Sequence, residues 1–206
     1  MYYLPLEHIA IIIDGRALFK GKGFKMTKKV LVPIADGTEE IEAVCIIDVL
    51  RRAGADLMVA SVGSGAQICA SRGVKITADC MILQCIDKDY DLVVLPGGMP
   101  GAERLRDCQE LAVILKKQYD RGAFYAAICA SPVVVLAHHG LIGKRLAVCY
   151  PSFASKLANV GNENVVVDGP CITSRGPATA IEFALKLVEV LFGKDKRDEV
   201  AKALLF

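Results

Sequence analysis

Three groups in this chain have the types and spacing to do chemistry together: the thiol of Cys129, the carboxyl of Glu42, and the backbone of Gly97 and Gly98. Cys129 follows the apolar run 123–128 and precedes Pro132-Val-Val-Val-Leu-Ala. The run reads as a buried parallel strand, and the segment after it as a buried helix with proline in its first turn. A residue at such a changeover is lifted on a sharp strand-to-helix turn, a nucleophile elbow, and small Ala127, Ala130 and Ser131 let the backbone crowd in. Free N–H groups and the partial positive charge of a helix N-terminus favour thiolate over thiol, so the Cys129 pKa is expected below that of a free cysteine. The competing reading is a buried structural cysteine, a residue type common in cores.

A thiolate attacking a carbonyl needs donors for the developing oxyanion. Gly98, with no side chain in the way, can turn its N–H into a pocket, and the N–H of Ala130 is the other obvious donor. A tight turn without a ligand would explain Gly97 and Gly98 equally well. A histidine is the usual partner of a catalytic cysteine. Of the three here, His138 and His139 lie roughly 13 to 15 Å beyond Cys129 along the expected helix, and His8 sits near the start of the chain. No ordinary Cys–His dyad is available. A carboxylate can serve instead. Glu42 shares a helical stripe with Cys45, Ile46, Val49 and Ala53, which should pack inward. An inward glutamate has a raised pKa and holds a proton it can donate. The alternative is an exposed glutamate of the first turn, the role that fits Glu39 and Glu40.

These groups need a scaffold, and the pattern supplies one. Strands are expected over 30–34, 56–62, 90–96, 123–128, 146–149, 164–167 and 171–173, with a hairpin over 67–77. Helices are expected over 39–52, after a turn and cap at Asp36-Gly-Thr38, over 102–121 in one or two pieces, over 153–158, over 178–192 and over 195–204. The alternation predicts an α/β fold, a parallel sheet covered by helices on both faces. Ligands of such sheets sit at the carboxyl ends of the strands, where Cys129, Gly97, Gly98 and the Asp36 loop all fall.

The chain's 206 residues suit one domain with a full core, and 25 basic against 23 acidic side chains leave it near charge balance. With no Trp and no basic stripe, specific nucleic-acid binding is not expected, and no apolar run reaches the length of a membrane span. Eight cysteines without C-x-x-C or metal-ligand spacing read as reduced thiols in a cytosol-like compartment, with no metal. The apolar run 9–13 is broken by Asp14 and Arg16 and followed by Lys20, Lys22 and Lys25, the wrong order for a signal peptide. An organellar presequence, an upstream start and an extra edge strand all stay open for residues 1–25. A single domain is expected over 26–206.

Taken together, the chain resembles the ThiJ/PfpI superfamily, and within it the branch of the Parkinson-disease-associated redox protein and its bacterial and plant relatives. The resemblance rests on Lys29-Val-Leu-Val-Pro, Asp36-Gly-Thr-Glu-Glu-Ile-Glu-Ala43, Asp48-Val-Leu-Arg-Arg-Ala-Gly54, Ser71-Arg-Gly-Val74, Asp91-Leu-Val-Val-Leu-Pro-Gly-Gly98, Ala126-Ala-Ile-Cys-Ala130 and Thr173-Ser-Arg-Gly-Pro-Ala-Thr179. It implies a flavodoxin-like sheet, a homodimer, and a reactive Cys129 hydrogen-bonded to a protonated Glu42. It also implies anion-binding amides at Gly98 and Ala130, with Arg52 and Arg72 near the dimer interface and the mouth of the site. Two positions depart from related patterns: Ala130 stands where peptidase-like members have histidine, and Tyr150 where this branch often has histidine before proline.

The implied activity is cofactor-independent conversion of methylglyoxal to lactate or removal of its adducts from proteins, with oxidative-stress sensing. The substrate would be a small aldehyde or a glycated protein, and the location cytoplasmic. The alternative is a non-enzymatic redox-sensing chaperone using the same cysteine. A cysteine peptidase is disfavoured by Ala130, and a thiazole monophosphate biosynthesis role by the absence of a phosphate-binding motif.

Overall fold

The computed structural model describes residues 12–13, 16–17 and 27–206. In the first two stretches, β1 (Ile12–Ile13) pairs antiparallel with β2 (Arg16–Ala17) in a sheet of its own, separate from the main sheet. The rest of the expected extension 1–25 lies outside the described residues.

The order thereafter is β3 (Lys29–Ile34), α1 (Glu40–Arg52), β4 (Asp56–Ser61), the hairpin β5 (Gln67–Cys69) and β6 (Lys75–Thr77), and β7 (Cys80–Met81). A 3-10 turn (Ile82–Cys85), β8 (Leu92–Leu95), α2 (Gly101–Asp107), α3 (Gln109–Asp120) and β9 (Phe124–Ile128) follow. The chain ends with β10 (Leu146–Ala147), β11 (Asn159–Val160), β12 (Val165–Asp168), β13 (Cys171–Ser174), α4 (Ala180–Phe192) and α5 (Lys194–Ala203). Seven strands form the central sheet in the order β12-β13-β9-β8-β3-β4-β7. All neighbours run parallel except β12, which pairs antiparallel with β13 as an edge.

The central strands read as unbroken apolar runs because both faces are covered. Val30, Val32 and Ile34 of β3 pack on one side with α1 and α4, while Leu31 and Ala35 pack on the other with α2 and α3. Full burial of Leu31, Leu92, Val93, Leu95 and Ile128 leaves these strands no freedom to slip, since a one-residue shift would exchange the two cores.

Local expectations change at several points, among them the helix expected over 153–158, which is a 3-10 turn over Pro151–Lys156. The cap of α1 is Glu39, whose side chain accepts the Glu42 N–H, while the Thr38 hydroxyl turns back to accept from Ala35 N at 2.9 Å. The edge strand β7 went unread because two residues give no periodicity. The segment after the elbow is a π-helical turn, Pro132–Ala137, rather than an α-helix. Such turns occur often at functional sites.

Candidate functional site

β3, β8 and β9 are parallel neighbours, so the loops that follow them meet at one edge of the sheet. Cys129 follows β9 directly and has φ 66°, a left-handed conformation that costs a residue with a Cβ about 1–3 kcal/mol. The surroundings hold it there. Its N–H donates to Ser174 O at 3.0 Å, and its carbonyl accepts from Tyr150 N at 2.7 Å. The Ser131 hydroxyl, fully buried, donates to Pro96 O at 2.6 Å and ties the elbow to the loop after β8.

Glu42 lies on the inner face of α1 and is 0% exposed. Its Oε2 accepts from Gly97 N at 2.7 Å, whereas Oε1 is buried without a hydrogen-bond partner. A Cβ built on Gly97 would lie 2.6 Å from Cys129 Cβ and 2.9 Å from Glu42 Oε2. The thiol-bearing carbon and the carboxylate are therefore at most 5.5 Å apart, the sum of those contacts. Only glycine fits between them. Gly98 is equally constrained: at φ +92° a Cβ would meet Glu39 N and Gly37 O at 2.4 Å, so the turn needs glycine whether or not a ligand binds.

Burial raises the Glu42 carboxyl to about 7, against partial lowering by the Gly97 and Cys129 contacts. Cys129 does not follow the lowering expected for a helix N-terminus. Burial and an ionised Glu42 push its thiol up to about 12, and the Gly98 and Ala130 amides that face the sulfur offset only part of this. A short π-turn provides little aligned dipole, and a buried thiolate loses its hydration. At neutral pH the thiol therefore keeps its proton while the carboxyl titrates, and an ionised Glu42 is the group placed to take the thiol proton as the sulfur reacts.

The Glu42 shift makes stability depend on pH. Folding favours the protonated carboxyl, so its contribution is fully present below the ordinary pKa of 4.5 and is lost as pH rises through about 7. The gap corresponds to on the order of 3 kcal/mol. Denaturant unfolding of the parent and Glu42→Gln should show the parent losing that much relative to the variant between pH 4.5 and about pH 8. Parallel profiles would mean that Glu42 is not held neutral by the fold.

Other expected residues divide. Tyr150 reaches the site through its backbone, while its ring, half-exposed, packs beside Gly176. Arg72 stands next to the first turn of α1: its N–H donates to Glu40 Oε1 at 2.8 Å and the Ser71 hydroxyl donates to Glu40 Oε2 at 2.8 Å. Arg52 is not brought to Cys129. It is exposed, pairs with Asp48 at 2.6 Å, and sits ten residues beyond Glu42, about 15 Å along the helix. His139 bonds Arg106 O at 3.0 Å and His138 is exposed, so neither partners the thiol, and His8 lies outside the described residues. Sequence reasoning read Glu40 only as a first-turn carboxylate and Ser131 only as a small neighbour of the elbow, so it missed their contacts with Ser71, Arg72 and Pro96, and it missed Ser174 altogether.

No cluster of metal-ligating side chains is present among the described residues, and no helix there is long and apolar enough to cross a membrane.

Comparison with known proteins places this geometry. The DJ-1/PfpI family model matches residues 28–190. Protein DJ-1 homolog B of Arabidopsis thaliana is 47% identical over 184 residues, covering 88% of this chain and 42% of that protein. The chain thus spans less than half the length of that relative and of its Arabidopsis companion, homolog A. The glutathione-independent glyoxalase DJR-1.2 of Caenorhabditis elegans is 37% identical, covering 85% of this chain and 94% of that one. Among solved structures, oxidized DJ-1 of Toxoplasma gondii superposes with a TM-score of 0.86 at 49% identity, covering 87% of this chain and 99% of the other. With a flavodoxin-like sheet, an elbow cysteine and a family match over most of its length, this chain belongs to the DJ-1/PfpI family.

Proposed function

We propose that the protein is a cofactor-independent glyoxalase or deglycase acting on methylglyoxal or its adducts, with Cys129 as nucleophile and Glu42 as acid–base. The observation that carries this reading is the buried Glu42 carboxyl, raised to about 7, with one oxygen unpartnered beside a thiol. An acid–base with a pKa near neutrality is the kind that works in both directions at neutral pH. The Caenorhabditis relative, named as a glyoxalase that needs no glutathione, supports it.

The chemistry balances on these groups alone. Glu42 takes the thiol proton as the Cys129 sulfur adds to the aldehyde carbon, and returns it to the resulting oxyanion, which lies against the Gly98 and Ala130 amides. The Glu42 carboxylate then removes the hydrogen from that carbon and delivers it to the neighbouring carbonyl carbon, while the hydroxyl proton passes from the first oxygen to the second. This isomerisation leaves a thioester of lactate on Cys129, and water cleaves it to lactate and free thiol. The substrate's own carbon is oxidised at one position and reduced at the next, so no redox cofactor enters.

Purified protein should consume methylglyoxal and form lactate with no added thiol, and Cys129→Ser should not. Activity surviving Cys129→Ser overturns the reading.

A second reading, a redox-sensing chaperone, draws support from the Toxoplasma relative, whose structure is of an oxidized protein. The amides and neutral carboxyl around Cys129 could hold a sulfinate. Mild peroxide would then add two oxygens to the Cys129 peptide of a protein that turns over no methylglyoxal. The homodimer belongs with these proposals.

A further inference from the structure

At the β4–β7 edge of the sheet, away from Cys129, two more thiols meet. Cys80 opens β7, paired with Ala60 of β4, and Cys85 closes the 3-10 turn that follows. Their sulfurs are 3.5 Å apart. Cys85 is fully buried, while Cys80 is partly exposed on the edge strand. A third group faces them. Tyr90 is 5% exposed, its hydroxyl has no hydrogen-bond partner, and burial, followed by the Cys85 sulfur beside it, pushes its ionisation upward. A buried hydroxyl left without a conventional acceptor has a donor to offer, and a sulfur anion would take it.

We propose that Cys80 and Cys85 form a second oxidation site, a dithiol that hydroperoxides close to a reversible intramolecular disulfide, with the Tyr90 hydroxyl positioned to donate to the sulfur of Cys85. Neither thiol takes part in the chemistry proposed for Cys129.

The geometry sets the roles. Cys80, at the exposed edge, meets the oxidant: its sulfur attacks one oxygen of the peroxide, the O–O bond breaks, and Cys80 becomes a sulfenic acid as water leaves. Cys85 is the resolving thiol. Its sulfur attacks the Cys80 sulfur, the S–S bond forms, the S–O bond breaks, and the thiol proton leaves with the hydroxyl as a second water. Two thiols lose two electrons and the peroxide gains them. The Tyr90 hydroxyl would stabilise the Cys85 sulfur as it loses its proton, a donor role that makes Tyr90 a positioning residue.

The sulfurs must approach by about 1.5 Å to bond. Two features of the fold allow it: β7 has only two residues and one strand neighbour, and a single 3-10 turn separates the thiols. Burial, and then the neighbouring Cys85 sulfur, push Cys80 up to about 11, so Cys80 rests as a thiol at neutral pH and the bridge closes only under oxidant.

Both cysteines fall in one tryptic peptide, residues 76–88, and Cys129 falls in another, residues 122–144. Peptide mapping therefore reads the two sites independently in the parent protein. After hydrogen peroxide and iodoacetamide under denaturing conditions, peptide 76–88 should be lighter by two hydrogens and unalkylated, and should take two alkyl groups only after reduction. Cys80→Ser, a change at a partly exposed position, should abolish the two-hydrogen loss and leave Cys85 alkylatable. Tyr90→Phe should keep the disulfide but close it about tenfold more slowly, the effect of one hydrogen bond to a charged sulfur. Two alkyl groups on the oxidised parent peptide overturn the proposal. So does Cys80 carried to sulfinate with Cys85 still free, or a bridge from either cysteine to another peptide. Unchanged kinetics in Tyr90→Phe overturn the role given to Tyr90.

Discussion

Glu42→Gln is expected to lower methylglyoxal turnover by about 100-fold or more while leaving Cys129 able to react. The amide keeps the size of the side chain and a donor near the sulfur, but it cannot take a proton from carbon and give it back. It also removes the negative charge that helps push the Cys129 thiol up. The variant should therefore show a lower thiol pKa by ultraviolet thiolate absorbance, and alkylation at neutral pH at least as fast as the parent's. The two readouts move in opposite directions, which separates proton transfer from activation of the thiol. Glu42→Leu removes donor and charge together and should lose turnover to the same degree. Turnover by Glu42→Gln at the parent rate would leave the enzyme reading without a proton carrier.

Gly97→Ala should cost about 3 kcal/mol of stability and inactivate Cys129. The new methyl would meet Cys129 Cβ at 2.6 Å, Glu42 Oε2 at 2.9 Å and Ile128 O at 3.0 Å. Two of these atoms belong to the elbow, which is held through Ser174 and Tyr150 and has little room to retreat. A double variant tests the cause. Cys129→Gly removes the Cβ in conflict and relieves the left-handed conformation, so in the Gly97→Ala background it should restore roughly 1–2 kcal/mol beyond its effect alone. Denaturant unfolding of the four proteins gives the coupling. Strict additivity would mean that the loss comes from elsewhere, with Gly97 merely tolerating the site.

The inward face of Glu42 was only half legible: the stripe it shares with Cys45, Ile46, Val49 and Ala53 favours it, but a first-turn glutamate can equally face water, and its pairing with Cys129 came from the family resemblance. An apolar run ending in a small-residue turn, by contrast, lifts the next side chain at the sheet edge. The cap of α1 was misplaced by one residue because Thr38 and Glu39 both suit a cap, and only the turn geometry sends the Thr38 hydroxyl to Ala35.

By itself, the sequence determined the alternation of strands and helices, the parallel central sheet, and the edge at which Cys129, Gly97 and Gly98 converge. These follow from local propensity and the pattern of apolar residues, which each segment carries within itself. Tertiary structure alone decided the protonation of the pair, the π-turn after the elbow, the antiparallel β12 edge and the meeting of Cys80, Cys85 and Tyr90. Desolvation outweighs the pull of two amides on the Cys129 sulfur, and that balance depends on how many atoms of other segments exclude water from it. No window of sequence contains that information, because the groups that bury Cys129 come from α1, β8 and β13 as well as from its own strand.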